Sequence, residues 1–166
     1  MMQAPEPRAV FSQDRRYRYV LRRVTGFGSL TCLFICLNPS TADEHIDDPT
    51  VRRCIGFAKR WGFGNLVVCN LFAYRATSPA DMKAQADPVG PENDAMILVQ
   101  AQSANRVICA WGNDGLYHAR WLHVVGPLFD KSVELHHLGQ TLAGQPKHPL
   151  YLKADTEPQT WEYMRP

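Results

Sequence analysis

The stretch TCLFICLNPSTADEHIDDPTVRRCIGFAKRWGFGNLVVCNL, residues 31–71, decides the fold. Residues 31–37 are apolar at nearly every position. That continuous pattern belongs to a strand buried on both faces, whereas a half-exposed strand would alternate. A polar loop follows over residues 38–48. Asp48 is a good N-cap and Pro49 suits the first helical position. Val51, Cys54, Ile55, Ala58 and Trp61 then recur with the spacing of one helix face, and Gly62 is a natural stop. Residues 65–71 form a second continuous apolar run. Strand, amphipathic helix and strand in that order make a parallel unit with a right-handed crossover.

Upstream, residues 17–24 (YRYVLRRV) are rich in β-branched, aromatic and Arg side chains, and TGFG at 25–28 reads as a turn. Together with residues 31–37 they predict an N-terminal hairpin that adds one antiparallel strand. Downstream, a loop with a short helical turn near Pro79 precedes Gly90 and Pro91. These open a helix running to about Ser103, with Glu92 and Asp94 where acids suit the helix dipole. Residues 106–110 read as a third strand, 115–128 as a helix and 133–138 as a fourth strand. The remainder is loop-like, with a last strand or turn around Tyr151. The expected fold is α/β: a three-layer α/β/α sandwich with a four-stranded parallel core sheet plus the N-terminal antiparallel hairpin strand. It forms a single domain over residues 1–166.

Composition sets limits on function. The hydrophobic share is 45%, the charged share 20% and the net charge +2, which are ordinary for a globular chain and too balanced for a nucleic-acid-binding tail. No N-terminal apolar segment resembles a secretory signal, and no apolar run reaches the ~18–20 residues of a membrane span. The expected location is therefore cytoplasmic, with no membrane partner and no obligate protein partner evident. Cys32, Cys36, Cys54, Cys69 and Cys109 are odd in number and contain no C-x-x-C pair. They read as small buried thiols in a reducing compartment, and zinc spacing is missing. No cofactor is expected. Asp43, Glu44, His45, Asp47 and Asp48 form an acidic loop that reads either as a hard-cation site or as a solvated capping loop.

In open parallel sheets, ligands bind beyond the carboxyl ends of the strands. The four ends here carry Asn38-Pro39-Ser40, Asn70-Leu71-Phe72-Ala73-Tyr74-Arg75, Trp111-Gly112-Asn113 and Lys147-His148-Pro149. Asn, Ser, His, Trp and Tyr thus gather at one expected mouth. No phosphate-binding P-loop, nucleophile elbow or dinucleotide fingerprint is present.

Across nearly the whole chain the sequence resembles a family of short bacterial and phage proteins classed as a domain of unknown function. The phrases that carry this are NPSTAD (38–43), DPTVRRC (48–54), WGFG (61–64), NLFAYRAT (70–77), DPVGPEND (87–94), AWG (110–112) and HPLYL (148–152). More distantly, the four strand ends resemble those of the uracil-DNA glycosylase superfamily. Asn38-Pro39-Ser40 is similar to its first motif, Asn70 to its base-reading Asn, Trp111-Gly112 to the phrase after its third strand, and His148-Pro149 to its last motif. The chain departs from that pattern after Pro149, where Leu150-Tyr151-Leu152 replaces the usual continuation with its wedge residue.

The resemblance implies a DNA glycosylase-like enzyme that flips a modified or damaged base out of DNA and hydrolyses its N-glycosidic bond. Asn38 would position water and His148 would donate to the base carbonyl. Pro39, Ser40, Asn70, Phe72, Tyr74 and Trp111 would hold the base, while Arg75, Lys147 and the strand arginines Arg15, Arg16, Arg18, Arg22 and Arg23 would meet phosphates. The alternative is a non-catalytic module binding a modified base or nucleotide on the same fold. A third reading is a metal-dependent hydrolase using the acidic loop.

Overall fold

The computed structural model describes residues 4–163. In chain order the elements are β1 (Ala9–Phe11), β2 (Arg18–Val24), β3 (Thr31–Cys36), α1 (Pro49–Arg60), β4 (Asn65–Asn70), α2 (Pro79–Lys83), α3 (Asn93–Ser103), β5 (Arg106–Cys109), α4 (Arg120–Asp130), β6 (Leu135–His137) and β7 (Gln159–Thr160). The fold is mixed α/β, with one seven-stranded mixed sheet in the order β1-β2-β4-β3-β5-β6-β7. The strands β3, β4, β5 and β6 are parallel neighbours, while β1, β2 and β7 are antiparallel additions.

The uninterrupted apolar run puts β3 at the centre. Residues Cys32, Leu33, Phe34, Ile35 and Cys36 are all buried, and β3 pairs in parallel with β4 on one side and β5 on the other. This placement corrects the expected hairpin. The strand β2 does not pair with β3. It pairs with the far edge of β4, Leu21 opposite Val68 and Val24 opposite Asn65. The turn read at 25–28 is instead a loop held to the next crossover, since the amides of Thr25 and Gly26 both donate to the Gly64 carbonyl. The observed hairpin lies earlier, between β1 and β2. The sheet therefore exceeds four core strands plus one. Two of its edges, three-residue β1 and two-residue β7, are too short to show a period in sequence.

Helix α1 begins as its sequence dictates: the Asp48 carboxylate accepts the Val51 amide at 2.9 Å, and Pro49 opens the first turn. Its buried face carries Val51, Cys54, Phe57 and Ala58, so Phe57 joins the expected stripe. Phe34, Phe57 and Trp61 stack, with Phe34 and Trp61 nearly parallel at 6.0 Å. Side chains alternate across the sheet. Phe34, Leu66 and Val68 pack toward α1, whereas Leu33, Ile35, Val67 and Cys69 pack against Ile97 and Ala101 of α3 and Val124 and Leu128 of α4. Helices thus cover both faces.

The helix expected over 115–128 is broken. A 3-10 segment spans Asn113–Ala119, and α4 starts only at Arg120. His118 and Ala119 adopt left-handed φ of 51° and 50°, which no continuous helix accepts. The fourth core strand is likewise shorter than expected, at three residues.

Because the chain leaves β3 toward β4 and leaves β5 toward β6, the two exits diverge. The carboxyl ends at such a divergence are where open sheets of this kind take ligands.

Candidate functional site

In-register pairing sets the level of the strand ends. Cys36 lies opposite Asn70, and Ile35 opposite Cys109, so the segments beginning at Asn38, Leu71 and Ala110 leave the sheet at nearly the same level. The loop after β6 returns to them. The Gly112 amide donates to the Pro146 carbonyl at 2.7 Å, and a Cβ at Gly112 would lie 3.8 Å from that of His148. Gly112 has φ 71°, a left-handed value that favours glycine. The short 3-10 turn Pro149–Tyr151 that follows His148 packs on α1. Asn38, Asn70, Gly112 and His148 are thereby brought to one end of the sheet.

Asn38 is half-buried and ties two loops together. Its Nδ2 donates to the Ala76 carbonyl at 2.9 Å and more weakly to Pro39, while the Ala76 amide donates to the Pro39 carbonyl. Only Oδ1 is left to meet a ligand. Pro39 is buried, and Ser40 borders an open groove of about 610 Å³ with Thr41, Tyr74, Arg75, Ala76 and Asp81.

Asn70, 2% exposed, ends β4. Its Oδ1 accepts from NH2 of Arg18 at 3.4 Å, and among the described residues its Nδ2 has no partner. Arg18 is itself 2% exposed. It also donates to the Ala42 carbonyl at 3.1 Å, and its Nε is buried without a partner. Burial lowers the Arg18 pKa to about 10, opposed by the carboxylate of Asp48. Behind Asn70, the strand end is fastened from the backbone side. Asn93 donates to the carbonyls of Asn70 and Leu71, and Nε of Arg120 donates to that of Leu71 at 2.7 Å.

His148 accepts the Leu150 amide on Nδ1 at 3.3 Å. The ring proton therefore sits on Nε2, which is free to donate among the described residues. Burial pushes the imidazole below its ordinary value of 6.5, and the Asp48 carboxylate opposes that shift only in part. Burial thus favours the neutral form of His148. Asp48 thus acts electrostatically on both His148 and Arg18, while its two oxygens accept from the Val51 and Ala42 amides.

The aromatic residues divide. Trp111 is sealed in the core, donates from Nε1 to Gln145 at 2.9 Å and lies against Gly115, where a Cβ would come within 2.2 Å of the indole. Phe72 is equally buried, 5.9 Å from the Tyr117 ring. Neither offers a face to a ligand as it stands; both pack behind the strand ends. Tyr74 does border the groove, edge-on to Tyr17. Arg75 also borders it, with its guanidinium 4.8 Å from the Phe11 ring centroid, and Lys147 is exposed beside Gly139.

Of the strand arginines, Arg18 and Arg23 are buried, Arg22 pairs with Glu6 and Arg15 with Glu44. Arg16 is open to solvent, 3.6 Å from Asp14. In the acidic loop, Asp43 accepts the His45 and Ile46 amides, Glu44 meets Arg15, Asp47 meets Arg23 and Asp48 caps α1. The described residues hold no cluster of three or more His, Cys, Asp or Glu arranged to hold a metal. All five cysteines are buried and free, and burial pushes the thiols of Cys32 and Cys69 up to about 12, so none of that pair is a ready nucleophile.

Fold and site together define a mixed α/β domain whose polar strand ends lie where the chain exits diverge. The chain belongs to the family described as Protein of unknown function (DUF1643), whose model matches residues 18–150. That span starts at Arg18 and ends two residues past His148, so it contains all of these strand ends and omits β1 and β7. No curated protein and no solved structure matches the chain. Among the described residues no helix is long and apolar enough to cross a membrane.

The sequence reads two residues at this end in other roles, Arg18 as a phosphate contact and Asp48 as a helix cap or cation ligand. Only the pairing of β2 with β4 brings Arg18 beside Asn70.

Proposed function

We propose that this protein binds a nucleobase extruded from DNA in a crevice at the carboxyl ends of β3, β4 and β5 and hydrolyses its N-glycosidic bond. In this reading the domain is a uracil-DNA glycosylase-like three-layer sandwich. The observation that carries the proposal is the Leu150 amide donating to Nδ1 of His148. With Nδ1 held by the Leu150 amide and the neutral ring favoured by burial, Nε2–H is a fixed donor. A departing base leaves with the bonding electron pair and places negative charge on its ring oxygens. A preorganised donor aimed at that charge lowers the barrier. The unpartnered Nδ2 of Asn70 supplies a second donor. The Oδ1 of Asn38 would orient the water whose oxygen bonds to the sugar carbon as the carbon–nitrogen bond breaks, the water's proton passing to the departing base anion. Tyr74, Arg75 and Ser40 border the groove through which the extruded strand would enter, and the exposed Lys147 would meet phosphate.

A second reading, a binding module that recognises a modified base or nucleotide without cleaving it, is favoured by one observation. The amide donors of Asn38 are committed to backbone carbonyls, and both oxygens of Asp48 are engaged, so neither side chain is placed to take a proton from water. Incubation with DNA duplexes and single strands that each carry one modified base separates the two. Release of free base supports hydrolysis. Tight binding without release from any of them supports the module.

A further inference from the structure

At the end of β4, Asn93 and Arg120 hold backbone carbonyls and Asp48 caps α1. Arg18 differs. A guanidinium that is 2% exposed is costly to bury, and a well-paired one has its donors satisfied. Among the described residues Arg18 has no carboxylate within hydrogen-bond distance. It donates only to the Ala42 carbonyl and to Oδ1 of Asn70, and its Nε is an orphan. Asn70 is just as buried, with Nδ2 unpartnered. A primary amide has an acceptor side and a donor side, and turning it by half exchanges them. A guanidinium has donors alone. Beside Arg18, only one orientation of Asn70 is favourable: oxygen toward Arg18, nitrogen away from it. The reverse orientation sets two N–H groups against two others, all in a buried setting where an unmade hydrogen bond is expensive.

We propose that Arg18 is a positioning residue that fixes the polarity of Asn70, so that the crevice offers an N–H and not a C=O at that point. This rests on the reading of the crevice as a base-binding site. With Nε2–H of His148 also a donor, the crevice selects a base edge that presents acceptors, and an exocyclic amino group at the same position meets a donor. Arg18 also polarises the amide it holds, which strengthens the Nδ2 donor toward an oxygen that gains charge.

The test uses the full chain and free bases that differ by one keto-for-amino exchange, uracil against cytosine and hypoxanthine against adenine, titrated by calorimetry. The wild-type protein is expected to prefer the keto member of a pair by about tenfold or more. Arg18→Met frees the amide to turn and is expected to bring that ratio to within about threefold. The ratio is insensitive to the fraction folded, so a purely structural Arg18 would leave it unchanged. Asn70→Asp guards against a poorly folded Arg18 variant. It keeps a partner for Arg18, replaces the donor by acceptors, and is expected to reverse the preference. A wild-type preference for amino members, an unchanged ratio in Arg18→Met, or a retained keto preference in Asn70→Asp overturns the proposal.

If the wild-type protein binds none of the four bases, the base-binding reading fails, and Arg18 is judged separately by the nitrogen-15 spectrum of the Asn70 side-chain amide, assigned through its loss in Asn70→Ala. One sharp pair in wild type that doubles or broadens in Arg18→Met supports the fixed amide. An identical pair in both proteins overturns it.

Discussion

Two arginines of β2, five residues apart and both buried, are used in opposite ways. Arg23 is fully employed: Nε meets Asp47 at 2.7 Å, one terminal nitrogen meets the Arg22 carbonyl, and the other meets the carbonyls of Asp43 and Ile46. It pins the acidic loop. Arg18 makes two longer bonds, at 3.1 and 3.4 Å, and leaves Nε without a partner. A residue whose bonds are complete explains itself by the structure it holds. Arg18 holds the Ala42 carbonyl and the Asn70 amide more loosely. The same contrast separates the two ends of the sheet. The larger cavity, about 670 Å³, lies at the amino ends among Arg22, Arg23, Val24 and Val99, where Arg22 and Arg23 both have carboxylate partners. Asn70, His148 and Arg18 lie at the carboxyl end, away from that cavity.

The comparison breaks most sharply at His148. Removing one preorganised donor to developing charge typically costs ~10²–10³ in rate. His148→Ala is therefore expected to lower base release by that factor while leaving DNA binding, carried by phosphate contacts, nearly unchanged. Single-turnover base release beside a gel-shift titration checks both halves. Equal activity of variant and wild type would move the site elsewhere.

Arg23→Met is expected to act on stability and not on the site. It strips the acidic loop of three hydrogen bonds and a partly buried charge pair, a loss on the order of 3 kcal/mol. Urea unfolding measures it, and base selectivity of the folded protein should stay as in wild type. A selectivity change would mean that the two arginines are not separable.

Asp48→Ala removes the cap of α1 and the charge that both His148 and Arg18 feel. The cap alone is worth about 1 kcal/mol. Asp48→Asn keeps an acceptor for the Val51 amide, so it is expected to recover most of that stability. With the carboxylate gone, the force that opposes the burial shift of His148 is gone too, and its pKa should fall further. Histidine titration by NMR in Asp48→Asn reads this shift, and a rise would contradict the assigned geometry.

The smallest effect is on the pH dependence of stability. Burial lowers the pKa of His136, His137 and His148 in the folded chain. Below the ordinary value of 6.5 the unfolded chain binds protons that the folded chain does not. Stability is then full above pH 6.5 and falls as the pH drops toward the folded values, by at most about 1.4 kcal/mol per pH unit for each histidine. Unfolding curves from pH 8 to 5 would show it, and stability that rises on acidification would refute it.

Much of the parallel core was legible because its signals are local. The apolar run at residues 31–37, the Asp48-Pro49 cap and the run at 65–71 each specify an element without reference to the rest. The order of strands is not local. Nothing in YRYVLRRV says that β2 skips its sequence neighbour β3 and lies against β4; that follows from β3 being apolar on both faces and needing parallel partners on each side. The left-handed residues His118 and Ala119, which break the expected helix, have no glycine to announce them. Strand-end position singled out Asn38, Asn70 and His148, and the fold brings all three to one end of the sheet. Residue type alone misread Trp111 and Phe72, whose aromatic faces are spent on packing. Arg18 and Asp48 were read in other roles because their neighbours here are supplied only by the fold.

The central claim is that the carboxyl-end crevice takes a flipped base and cleaves its glycosidic bond. The most direct measurement is mass-spectrometric detection of free base after incubating the protein with a panel of DNA oligonucleotides, single- and double-stranded, each carrying one modified base. The account predicts free base and a matching abasic site from at least one oligonucleotide with the wild-type protein, and a loss of ~10²–10³ in that release with His148→Ala. Absence of free base from every oligonucleotide, with wild-type protein shown to be folded, would contradict it.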